Sequence, residues 1–163
     1  MEIVQLNANA KLSEHFTLGE FTRSNSHPEI YNIPSHEAIA NMKRLCGWLE
    51  VLREASPGPT ASPGPSKGRG EPIIINSGYR SPQLNRKIGG APNSNHLTGC
   101  AVDIRVSGME QLIRYAAILL DYADESKQEF DELLIERNSH GAIWLHFAVR
   151  PSGNRRKVCF INA

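Results

Sequence analysis

Apolar residues recur at intervals of three and four along residues 39–52, as Ile39, Met42, Leu45, Cys46, Leu49 and Leu52. That spacing puts them on one face of a helix of about five turns, opening after Pro34 and Ser35. Cys46 and Trp48 are read there as core packing. A second periodic segment runs from Met109 to Tyr122, with Leu112, Tyr115, Ala116, Leu119 and Leu120 at helical spacing. Thr17-Leu18-Gly19-Glu20 has the pattern of a capping box and predicts a short helix that carries Phe21 inward. Pro82 to Ile88 fits one or two helical turns stopped by Gly89-Gly90. Short apolar runs predict strands at Ile73–Ile75, Ala101–Ile104, Phe130–Glu136, Ile143–Val149 and Val158–Ile161. Helices come first and strands accumulate late, which predicts an α+β fold with a mainly antiparallel sheet flanked by helices.

A stretch rich in Pro, Gly and Ser, residues 56–70, has too little apolar material to offset the entropy of ordering and is expected to be a flexible loop. The 163 residues otherwise suit one domain, 1–163, with a real core. Net charge is +1, which gives no field for nucleic acid or a membrane surface, and neither is expected as a partner. A monomer is expected. Cys46, Cys100 and Cys159 lie far apart with no CxxC pair and are read as apolar fillers. No segment has the length of a membrane span, and the N-terminus lacks the apolar core of a signal peptide. The expectation is therefore synthesis in the cytoplasm, with action elsewhere only after release by another route.

Two polar residues interrupt this apolar pattern. Asp103 sits inside Ala101-Val102-Asp103-Ile104, and His146 inside Ile143-Trp144-Leu145-His146-Phe147-Ala148. An unpaired buried charge costs several kcal/mol in order of magnitude, so Asp103 needs a partner. One solution is a salt bridge to Arg80 or Arg105, with His96 only capping a loop. The other is a metal: His96, Asp103 and His146 make up the three-ligand set of a catalytic zinc site whose fourth position is open. Glycines at 78, 89, 90 and 99 permit the tight turns and close approach by which separate segments converge.

The segment from Leu12 to Ser24, the block Ser77-Gly78-Tyr79-Arg80-Ser81, the block from Ser94 through His96, Gly99, Ala101 and Asp103 to Ile104, and Trp144-Leu145-His146 occur in the order seen in the M15 zinc peptidases. The chain resembles their D-alanyl-D-alanine carboxypeptidase-like branch, often encoded by phages and prophages, over nearly everything except residues 56–70. The resemblance implies the hedgehog/DD-peptidase fold and zinc on His96, Asp103 and His146. It implies Arg80 facing the substrate. Ser94 and Tyr79 are read as hydrogen-bonding to the substrate or to the ligands, a role that fixes ligand orientation. Many relatives carry Glu or His two or three residues before the last zinc ligand, where this chain has Ile143 and Trp144. Phe130-Asp131 followed by Glu136 is instead similar to the hedgehog domain, which makes Glu136 the expected general base and His140 the alternative. The implied activity is hydrolysis of peptide bonds in bacterial peptidoglycan stem peptides, as carboxypeptidase or endopeptidase, with a phage or prophage lysis role. The competing expectation is a non-catalytic zinc module that binds cell wall or serves as a phage structural part.

Overall fold

A computed structural model describes residues 7–24, 26–56 and 70–163. Apart from its ends, Ser56 and Gly70, the loop expected over 56–70 lies outside the described residues.

The helices form where periodicity and caps agree. α1 (Leu18–Thr22) buries Phe21 completely. Its capping box is not closed: the Thr17 side chain makes no bond to the helix backbone, and its hydroxyl lies 3.5 Å from a Glu20 oxygen instead. α2 (His36–Ala55) starts on Ser35, whose hydroxyl accepts the Ala38 N–H at 3.1 Å, and buries Met42, Leu45, Cys46, Trp48, Leu49 and Leu52. α3 (Pro82–Lys87) has Ser81 as its cap and proline in its first turn, where a missing N–H costs nothing. α4 (Met109–Ser126) runs one turn beyond the predicted end.

Five strands make one sheet: β1 (Ile75–Ser77), β2 (Ala101–Arg105), β3 (Glu132–Arg137), β4 (Ile143–Ala148) and β5 (Lys157–Asn162), in the order β1-β2-β4-β3-β5. The first four pair antiparallel, and β5 runs parallel to β3. Two strands start later than their apolar runs. Ile74 is 46% exposed and precedes β1, while Phe130 is fully buried ahead of β3.

Alternation along the strands divides the sheet into two faces. Val102, Ile104, Leu133, Leu145 and Phe147 join α2 and α4 in the hydrophobic core. Trp48 of α2 sits at its centre, edge-on to Tyr122 at 4.9 Å and tilted against Phe147 at 5.3 Å. Asp103, Glu132, Leu134, Glu136, Trp144 and His146 belong to the opposite face, which forms the wall of a cavity of about 920 Å³. The polar residues that interrupt β2 and β4 are thus on the face of the sheet that lines the cavity. Among the described residues no helix is long and apolar enough to cross a membrane.

Candidate metal centre

β2 and β4 supply the centre directly. Asp103 and His146 are register partners on neighbouring antiparallel strands, so their side chains rise side by side from one face. His96 comes from the 3₁₀ turn Asn95–Thr98, whose cap Ser94 accepts the His96 N–H at 3.2 Å. Gly99 closes that turn at φ 74°, where a Cβ would also stand 2.6 Å from the Ala38 carbonyl oxygen, so neither the conformation nor the space admits another residue. Gly78 is constrained by space alone, since a Cβ there would meet the Phe21 carbonyl oxygen at 2.7 Å. The Gly78 carbonyl in turn holds His96.

The three donors His96, Asp103 and His146 are buried, with one ligand atom from each lying within 4.8 Å of the others. His96 Nδ1 stands 2.7 Å from the Gly78 carbonyl oxygen. A carbonyl only accepts, so Nδ1 carries the proton. Burial pushes the His96 imidazole below its ordinary pKa, leaving Nε2 as a bare lone pair. That lone pair faces Asp103 Oδ1 at 3.3 Å. Two acceptors pointed at each other in a buried site repel unless a cation lies between them, and this donor set fits one.

His146 meets Asp103 Oδ1 through Nδ1 at 3.1 Å and Glu132 Oε1 through Nε2 at 3.1 Å. Burial opposes a charge on this ring, but the two carboxylates outweigh it and push its pKa up to about 9, so the metal-free ring is an imidazolium. With a cation at Nδ1 the ring instead keeps a single proton, on Nε2, which it donates to Glu132. Burial also disfavours ionisation of Asp103, yet the hydrogen bond and charge of the His146 ring hold its carboxyl well below the usual range. The salt bridge considered from sequence is present as well: Arg80 Nη2 lies 3.3 Å from Asp103 Oδ2, with Arg80 Nε bonded to Ser77 Oγ at 3.1 Å. Arg80 and the histidines take different oxygens of one carboxylate, so the ion pair leaves Oδ1 open to a cation.

Glu136 projects from β3 on the same face, 4.0 Å from His146 Nδ1. Burial and the nearby Asp103 charge raise its carboxyl pKa, the direction that suits a proton acceptor near neutrality. Trp144 is its register partner; its buried indole N–H lies beside Glu136 but forms no hydrogen bond among the described residues. His140 lies exposed in the turn between β3 and β4 and does not line the cavity. Tyr79, expected at the substrate, is 8% exposed in the hydrophobic core and does not line the cavity either. It serves through its backbone: its N–H bonds Phe21 O at 2.7 Å and its carbonyl accepts from Asn32 at 2.7 Å.

Sequence reasoning missed Glu132 and the network behind it. Asn95 Nδ2 donates to Glu132 Oε1 at 2.6 Å and to Asp131 Oδ2 at 2.8 Å, and Asn95 Oδ1 accepts from Arg150 Nε at 2.9 Å. The available signal was period two: Glu132, Leu134 and Glu136 share a strand face, so placing Glu136 at the site places Glu132 there too.

A family model described as Peptidase M15 matches residues 66–136, a stretch that contains Arg80, His96, Asp103, Glu132 and Glu136. A zinc D-Ala-D-Ala carboxypeptidase from Streptomyces albus G is 30% identical over 103 residues, which make up 63% of this chain and 36% of that protein. The chain therefore spans about a third of the relative's length. His146, beyond the family match, comes from the strand paired with both β2 and β3. With two metal donors and the adjacent carboxylates inside the matched stretch, the chain is similar to the M15 peptidases at the residues that build the centre.

Proposed function

We propose that this protein is a zinc metallopeptidase that hydrolyses peptide bonds in the stem peptides of bacterial peptidoglycan. The observation that carries the reading is the opposed pair of acceptors, His96 Nε2 and Asp103 Oδ1, completed by His146 Nδ1 and overlooked by Glu136. His96 through Nε2, His146 through Nδ1 and Asp103 would hold the ion. When bound, zinc supplies a Lewis acid that polarises a carbonyl and acidifies water near neutral pH.

The remaining work falls to the chain. Glu136 takes the proton from the attacking water and returns it to the leaving amine. Arg80, fixed by Ser77 and Asp103, offers its guanidinium to the charge that develops on the scissile carbonyl or to a substrate carboxylate. Ser94 acts through the cap that orients His96. The resemblance to the D-alanyl-D-alanine carboxypeptidase-like branch and the named activity of the Streptomyces relative support a stem-peptide substrate. The setting we propose is phage- or prophage-encoded lysis, with the protein reaching the wall after release from the cytoplasm.

The test is digestion of purified peptidoglycan and soluble stem peptides by the full chain loaded with zinc. D-alanine or stem fragments should appear, disappear with a chelator and return with added zinc. Stoichiometric zinc without product across several wall chemistries would favour the non-catalytic module.

A further inference from the structure

The cavity that holds the metal donors also reaches two cations with no part in the scheme above, Arg150 and Arg155. Both are anchored on Asp131, which is fully buried. Asp131 Oδ1 accepts from Arg155 N–H and Nε, each at 3.0 Å; Oδ2 accepts from Arg155 Nη2 at 2.8 Å and lies 3.2 Å from Arg150 Nε. One negative charge thus anchors two positive ones. Glu132 relieves part of the excess, its Oε2 lying 3.5 Å from Arg155 Nη2 while its Oε1 is engaged by His146 and Asn95. Arg150 has no carboxylate but the shared Asp131 within salt-bridge distance among the described residues.

Both guanidiniums are gripped from the Nε side. Among the described residues no hydrogen bond uses either terminal nitrogen of Arg150 or the Nη1 of Arg155. The two side chains are 35% and 49% exposed, and both line the cavity. An anchored guanidinium has already lost much of the rotamer freedom that binding would otherwise cost, and its planar fork matches a carboxylate.

We propose that Arg150 and Arg155 form an anion subsite that takes a second carboxylate of the substrate, on a residue two to three positions from the bond that is cut; this rests on the peptidase reading. The spacing follows from Glu132, which bridges His146 Nε2 at 3.1 Å and Arg155 Nη2 at 3.5 Å. The Arg155 guanidinium is then no more than about 9 Å from His146 Nε2 and about 11 Å from the Nδ1 that faces the ion, a span of two to three residues at ~3.3–3.6 Å each. The ligand class is an acidic peptide with a free side-chain or branch carboxylate at that distance.

The test uses stem-type peptides that differ only by carboxylate or carboxamide at the second or third residue from the scissile bond. Binding to the zinc-loaded full chain is measured by calorimetry and kcat/KM alongside it, for wild type, Arg150→Gln and Arg150→Lys. Arg155 is left in place so that Asp131 keeps a partner, and melting curves establish folding. Wild type should favour the carboxylate by about tenfold or more. The preference should shrink with salt, fall severalfold in Arg150→Gln, where Arg155 alone remains, and survive in larger part in Arg150→Lys. An equal preference in wild type and Arg150→Gln, or none in wild type, would overturn the subsite. If Arg150→Gln does not fold, a salt-insensitive preference in wild type does so. Peptides bound with the preference but never cut would leave the subsite standing and remove the peptidase reading; peptides cut without preference would do the reverse.

Discussion

Asp103 and Asp131 are both buried carboxylates beside the same cavity, and their surroundings differ in one respect. Asp131 is saturated by donors: three from Arg155, one from Asn95 and the charge of Arg150. Asp103 has one long bond from Arg80 and otherwise faces two imidazoles, one of which turns a lone pair toward it. A carboxylate whose valences are filled by the chain is architecture. One left facing a lone pair is a place for a cation, and the difference lies in tautomer and geometry rather than in depth of burial.

The sharpest way to break this contrast is Asp103→Asn, which keeps shape but removes the charge at the junction of both histidines. Zinc should fall from about one per chain to near none, with activity lost and the fold retained. Metal analysis and a melting curve on one preparation check both halves; a variant that keeps its zinc would put the ion elsewhere. Glu136→Gln should keep the zinc and lower kcat by about 10²–10⁴-fold, whereas His140→Ala should change little, since His140 does not reach the cavity. Steady-state rates on one stem peptide separate the two.

Asp131→Ala is the complementary test. It leaves two guanidiniums facing a vacated buried site and should cost about 3–5 kcal/mol of unfolding free energy, read by urea titration, while zinc stoichiometry in the folded fraction persists. Glu132→Ala should weaken zinc binding by about 10–100-fold in a chelator competition, since it removes the acceptor that holds the His146 ring with Nδ1 toward the ion. A purely structural Glu132 would move the melting temperature and leave that constant alone.

The smallest expected effect is on pH. Burial would raise the Asp131 carboxyl, but hydrogen bonds from Arg155 and Asn95 outweigh it and hold its pKa at about 2, against an ordinary 3.8. Because the folded value is the lower one, the stabilisation is present in full above the ordinary value and is lost as pH falls from about 4 toward 2. It amounts to about 2 kcal/mol. Denaturation curves across that window should flatten in Asp131→Asn.

Much of this was legible in the sequence, for reasons that can be stated residue by residue. The α2 face from Met42 to Leu52 follows from spacing alone. Asp103 and His146 stood out because strand alternation made them conspicuous among apolar neighbours. Other features are written only in three dimensions. That β5 runs parallel to β3 depends on which strand it lands beside, and its own alternation is the same in either direction. Arg150 and Arg155 flank a Pro-Ser-Gly turn, where charged residues are ordinary, and only the position of Asp131 makes them partners. Tyr79 lay in the motif block next to Arg80, yet its ring turns into the core while its main chain supports the loop.

The pairing of Asp103 with His146 across β2 and β4 carries a consequence for how the chain reaches its native state. A slip of one residue between these strands would turn His146 to the helical side and present Leu145 or Phe147 to Asp103. The centre thus exists in only one alignment of the two middle strands, joined across 43 positions of chain. An ion captured there withdraws correctly aligned molecules from the folding equilibrium and holds them by mass action. A zinc ion held by these residues would thus also proofread strand alignment, and the zinc supply during refolding should set how much of the chain ends in register.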